Sequence, residues 1–198
     1  MNYLAHAYLS FNNPDILLGN MISDFVKGKK QYDYPIPIQQ GIQLHRAIDT
    51  FTDNHLATKK AKEIFRKDYR LYSGAFVDIV YDHFLANDTN EFSTKKDLKN
   101  FATNSYAVLS SYSQWMPEPF NKMFPYMKQQ DWFYNYQHLQ GIENSFNGMV
   151  RRAAYLTESK IAFTLFVENY DSLQEVYSDF FKDVKNFAIH HLHSMNQH

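Results

Sequence analysis

An all-α fold in one domain, a bundle of seven to nine helices, is what this 198-residue chain predicts, on three observations. Apolar residues recur at three-and-four spacing through most of it, and no stretch shows the strict alternation of a half-buried strand. Breaks such as Asn12-Asn-Pro-Asp15, the Pro35 and Pro37 segment and Met116-Pro-Glu-Pro119 separate those runs. Hydrophobic residues make up 44% and aromatics 17%, enough for a sizeable single core and too rich for a disordered chain.

Taken in order, Met1 to about Phe11 reads as a helix with Leu4, Ala5, Tyr8 and Leu9 inward and His6 as its one ionisable side chain. Pro14 suits the first position of a second helix, expected to run to Lys27 and stop at Gly28. Asp24 falls between Ile22 and Phe25 on its apolar side, where an unpaired carboxylate is costly. Residues 29–37 form a loop at the rim of any site nearby. In Gly41-Ile-Gln-Leu-His-Arg-Ala-Ile-Asp-Thr-Phe-Thr-Asp53, the apolar Ile42, Leu44, Ile48 and Phe51 define an amphipathic helix. His45 and Asp49, four apart, share one face of it. A basic helix follows over 59–70. Ser73 opens the next, where Asp78, Asp82 and His83 sit among Phe76, Val77, Ile79, Val80, Phe84 and Leu85. Phe92 to Tyr112 and His138 to Arg152 are further helices, and the aromatic residues between them read as packing. The tail from Thr157 is one long or interrupted helix. Its His190, His191, His193 and His198 read as surface.

Several function classes drop out. The formal net charge of −1 argues against general nucleic-acid binding. No eighteen apolar residues run without a charge, so no membrane span is expected. The first residues lack the basic and apolar segments of a signal peptide. With no cysteine there are no disulfides or thiol chemistry, in keeping with a cytoplasmic location. No internal repeat, glycine-rich phosphate loop or Ser-His-Asp signature is present.

What remains is a set of polar residues on apolar helices. Imidazole nitrogen with carboxylate oxygen and no sulfur suits Mn²⁺ or Mg²⁺, with Fe or Zn²⁺ as further candidates. A metal so held activates water and polarises a phosphoryl oxygen. Lys27 and Arg46 lie next to the carboxylate positions and suit a phosphate. By residue types alone, metal-assisted phosphoester hydrolysis and a metal-free structural bundle stand level.

Four blocks resolve that balance: Met-Asn-Tyr-Leu-Ala-His6, Gly-Asn-Met-Ile-Ser-Asp-Phe-Val-Lys-Gly28, the Gly41 to Asp53 helix, and Asp78-Ile-Val-Tyr-Asp-His-Phe-Leu85. Together they resemble the acyl carrier protein phosphodiesterase family. Asn147-Gly-Met-Val-Arg-Arg152 resembles a weaker block of it. The resemblance implies an irregular relative of the HD-type metal phosphohydrolases. It also implies that water cleaves 4′-phosphopantetheine from holo acyl carrier protein, with Mn²⁺ or Mg²⁺ required. The chain has no adjacent His-Asp pair, so the HD ligand scheme does not transfer. The assignment made instead gives His6, Asp24, His45 and Asp82 as metal ligands. Asp49, or alternatively Asp78, handles the attacking water, His83 protonates the leaving oxygen or holds a ligand, and Lys27 and Arg46 bind phosphate. Lys59, Lys62 and Arg66 on the basic helix are the docking surface for an acidic carrier. Two other readings fit parts of this: a phosphohydrolase of small phosphoesters or nucleotides, and a helical module that binds a carrier protein without catalysis.

Overall fold

The structure, a computed structural model, describes residues 1–195, so His198 of the tail cluster lies outside the described residues. It is all-α, with eleven helices among those residues. The count exceeds seven to nine because the four-residue helix Trp132–Asn135 stands by itself and the tail is split.

Helix α1 (Tyr3–Tyr8) is followed by α2 (Pro14–Ile22), where Pro14 takes the first turn and the Asn13 Oδ1 accepts the amides of Asp15 and Ile16. The chain then tightens into a 3₁₀ turn, Ser23–Phe25, rather than continuing as α-helix to Lys27. A tighter turn rotates the side chains that follow it. Asp24 accordingly faces solvent, its side chain 66% exposed, and not the apolar side. Gly28 takes φ +54°, a left-handed conformation that glycine adopts without strain, and opens a second 3₁₀ turn, Gly28–Asp33, within the expected loop.

Helix α3 (Ile36–Asn54) begins five residues earlier than its apolar pattern suggests. Pro35 and Pro37 lie at its start, where a missing amide costs nothing. His55 then turns the chain into α4 (Leu56–Tyr69), accepting the amide of Ala57. Next come α5 (Ser73–Asn87), α6 (Lys95–Ser111), α7 (Glu118–Gln129), α8 (Trp132–Asn135) and α9 (Leu139–Arg152). Thr94 and Asp97 cap α6 reciprocally, which sets its start three residues after Phe92. Asn169 divides the tail into α10 (Lys160–Glu168) and α11 (Tyr170–Met195).

Two glycines decide where the site forms. A Cβ on Gly19 would lie 2.7 Å from the Gly41 Cα, and one on Gly41 would lie 2.5 Å from the Ile16 carbonyl oxygen. Helices α2 and α3 therefore touch backbone to backbone, which brings Asn20 and Asp24 against His45. Helix α5 runs through the interior with Phe76, Val80, Tyr81 and Leu85 fully buried, and α11 closes the far side of α3. The Tyr81 ring stacks on Phe180 and the Phe51 ring on Phe187, at 4.7 and 4.6 Å between centroids. No helix of the described residues is long and apolar enough to cross a membrane.

Candidate metal centre

Asn20 is the pivot. Its side-chain nitrogen donates to the His6 carbonyl and to Ser10 Oγ, both at 3.0 Å. That orientation leaves Oδ1 facing His6 Nδ1 at 3.1 Å, so the ring donates there. The Asn20 backbone carbonyl accepts from His45 Nδ1 at 2.7 Å. Both imidazoles are thus held with Nδ1 protonated and Nε2 turned the same way. Their rings stack at 3.8 Å with an interplanar angle of 16°.

Both Nε2 atoms point at Asp49. His6 Nε2 lies 3.1 Å from Asp49 Oδ1, and His45 Nε2 lies 3.2 Å from Oδ2 and 3.3 Å from Asp24 Oδ1. One ligand atom each from His6, His45 and Asp49 lies within 4.8 Å of the others. Burial and the neighbouring His45 charge lower His6 to about 4, against the pull of Asp49, so it is neutral near pH 7. Its Nε2 then aims a lone pair at a carboxylate oxygen. Such a contact is repulsive until a cation lies between the two groups. His45 is the opposite case. Burial disfavours its charge, but Asp24 and Asp49 outweigh burial and raise it to about 9. A metal at its Nε2 would displace that proton. The α-ammonium of Met1 lies 3.1 Å from Asp49 and 3.2 Å from Asp78, and is raised to about 11 by those carboxylates against burial. Asp49 is depressed far below the carboxylate range, chiefly because this ammonium overcomes its burial. Asp24 is also lowered, chiefly by its hydrogen bond to His45. The donor set of two neutral-capable imidazoles and two ionised carboxylates fits a divalent cation.

The structure thus brings His6, Asp24, His45 and Asp49 together. Asp82 departs from the expected ligand set. Fully buried, it accepts the backbone amides of Leu4 at 2.7 Å and Ala5 at 3.1 Å, capping the start of α1 from across the core. Burial raises it to about 7, more than those two amides lower it. His83 stands apart too, with Nδ1 on the Tyr136 carbonyl and Nε2 on the Tyr170 hydroxyl, among the rings of Phe84 and Phe166. Both nitrogens have structural partners, which leaves neither for a leaving group. Asp78 holds the Met1 ammonium. Arg46 donates to Gln31 and to the Val26 carbonyl, fastening the 3₁₀ segments to α3, while Lys27 is exposed. On α4, Lys62 pairs with Asp53 at 2.7 Å and Arg66 with Glu63 at 3.2 Å; Lys59 is exposed. The role of Asn20 is the part that residue patterns miss. Its signal was an amide four residues before Asp24 on an otherwise apolar helix.

The chain as a whole is similar to known proteins. The family model described as acyl carrier protein phosphodiesterase matches residues 1–184. A Yersinia pestis protein named acyl carrier protein phosphodiesterase is 30% identical over 190 residues, covering 96% of this chain and 98% of the relative. Proteins of the same name from Salmonella paratyphi A and Salmonella agona are 30% identical over 181 residues, 91% of this chain and 94% of theirs. No solved structure matches. All four polar residues gathered at the centre lie within the matched span, and the chain belongs to the acyl carrier protein phosphodiesterase family.

Proposed function

We propose that this chain is a cytoplasmic phosphodiesterase that removes 4′-phosphopantetheine from the serine of holo acyl carrier protein. The observation that carries the reading is the pair of stacked imidazoles whose Nε2 atoms share one half-buried carboxylate, Asp49, in a member of this family. His6, His45, Asp49 and Asp24 would hold the divalent cation, with Mn²⁺ suiting the two nitrogens better than Mg²⁺. When bound, it supplies Lewis-acid polarisation of the phosphoryl oxygen and a more acidic water.

The chain's own residues do the rest. Asn20 fixes both rings in the tautomer that presents Nε2. Asp24 is open to solvent, so a carboxylate oxygen not engaged by the cation would take a proton from the attacking water. In the reaction the water oxygen joins phosphorus and the bond from phosphorus to the serine oxygen breaks. The serine oxygen takes up a proton, leaving apo carrier protein. The exposed cations of α4 are the proposed docking surface, since acidic partners are steered by such patches.

The test is intact-mass measurement of holo carrier protein incubated with the protein and Mn²⁺. Loss of the arm, blocked in His45→Ala, supports the reading. A carrier mass that stays unchanged under Mn²⁺ and Mg²⁺ alike rejects it.

A further inference from the structure

A cleft of about 920 Å³ lies beside the metal centre, between the start of α1 and helices α7, α8 and α9. Its volume is at the upper end of small-molecule sites. Tyr3 belongs to the lining, and its hydroxyl feels the charges of both Arg152 and Asp24, which links the cleft to the centre. Asn2, next to it, donates to the Tyr136 hydroxyl at 3.0 Å.

The lining has a distinct chemistry. Asn2, Asn135, Asn144 and Asn147 each commit one end of the side-chain amide to a protein partner, and the other end is left for a ligand. Tyr126 and Trp132 add apolar surface. Arg151 and Arg152 are exposed, and neither has an ion-pair partner among the described residues. No carboxylate lines the cleft. Such a surface asks for a long ligand with amide groups, short alkyl segments and an anionic end. The wall itself depends on Gly141, where a Cβ would lie 2.0 Å from the Asn135 carbonyl oxygen.

We propose that this cleft seats the pantetheine arm of the substrate, with Arg152 as the contact of its phosphate. The inference rests on the carrier-protein reading above. It adds a binding residue outside the metal centre and a reason for the block at Asn147 to Arg152. The two amides of the arm meet the asparagine ends, and its dimethyl segment lies against Tyr126 and Trp132. Arg152 complements the phosphate from the side opposite the centre.

Calorimetric titration of the full chain in EDTA, with 4′-phosphopantetheine and with pantetheine, tests this without turnover. The wild type is expected to bind the phosphorylated ligand about tenfold more tightly. Arg152→Ala should remove that preference, Arg152→Lys should restore part of it, and Gly148→Trp should weaken both ligands at least tenfold. Gly148 has room for a ring only by filling the cleft, since a Cβ there meets nothing closer than 3.9 Å. Asn144→Trp, on the exposed face of the same helix, serves if Gly148→Trp does not fold. Binding as tight as wild type in a folded tryptophan variant, or a phosphate preference that survives Arg152→Ala, overturns the proposal. A wild type that binds the arm yet never cleaves holo carrier protein defeats the catalytic reading and leaves the cleft assignment standing.

Discussion

Asn20 shows how one buried amide can set the chemistry of two other residues. Replacing it with Ala frees His6 Nδ1 and removes one of the two side-chain donors to the His6 carbonyl, which keeps the Ser10 hydroxyl at 2.8 Å, while the backbone contact to His45 persists. Loss of such an outer partner typically lowers metal affinity 10–100-fold. Asn20→Ala is therefore expected to weaken Mn²⁺ binding by about that factor in an electron paramagnetic resonance titration. Affinity equal to wild type would mean the ring is held by packing alone. Asp82 carries a different expectation. Its carboxyl is raised to about 7 in the fold, against about 3.9 in an unfolded chain. Between those values the unfolded chain has released its proton and the folded one keeps it, so rising pH favours unfolding. The interval is worth at most about 4 kcal/mol. Melting temperature should fall from pH 4 to pH 7 more steeply in the wild type than in Asp82→Asn, which cannot ionise. Equal slopes would show that another group titrates. The same residue marks where sequence reading stopped. A carboxylate among Phe76, Val80 and Leu85 demands a partner, and that much was legible. Nothing in the local pattern distinguishes a cation from two backbone amides 78 and 77 residues away. His45 and Asp49 were legible because both ends of the interaction lie on one helix.

At the scale of elements, the crossing of α2 and α3 is the part of the fold on which the centre depends. Alanine normally stabilises a helix interior over glycine by up to about 1 kcal/mol. At Gly41 the sign reverses, because the methyl would strike the Ile16 carbonyl at 2.5 Å and part the helices. Gly41→Ala is expected to cost about 2–3 kcal/mol, in line with overpacked cores, and to weaken Mn²⁺ binding as Asp24 withdraws from His45. Denaturant unfolding with metal titration checks both effects, and a stabilised variant would refute the contact. The helical runs themselves were plain from apolar spacing. The 3₁₀ tightening at Ser23–Phe25 was not, since nothing in Ile-Ser-Asp-Phe-Val marks it and tertiary contact decides it. The break at Asn169 was equally silent, a lone asparagine in a run without proline or glycine.

For the whole molecule, the apolar core is ample without an ion. EDTA should abolish hydrolysis while leaving helical circular dichroism in place; unfolding on chelation would make the metal structural. Carrier recognition must rely on a local surface, because the net charge is only −1. Reversing Lys59 and Arg66 to Glu is expected to raise KM for holo carrier protein several-fold at low salt, and less in 0.5 M salt, where the field is screened within about 8 Å or less. An unchanged KM at low salt would move docking elsewhere. The closure of α3 by α11 also has a consequence for biosynthesis. Phe51 waits for Phe187, which follows it by 187 − 51 = 136 residues. At about 5–20 residues per second, the ribosome needs roughly 7–27 s to supply that partner. Throughout that interval the side of α3 around Phe51 lacks the helix that covers it, although α2 is already in place on the other side. Fragments ending before Tyr170 should emerge from cells as aggregates, however complete their catalytic residues.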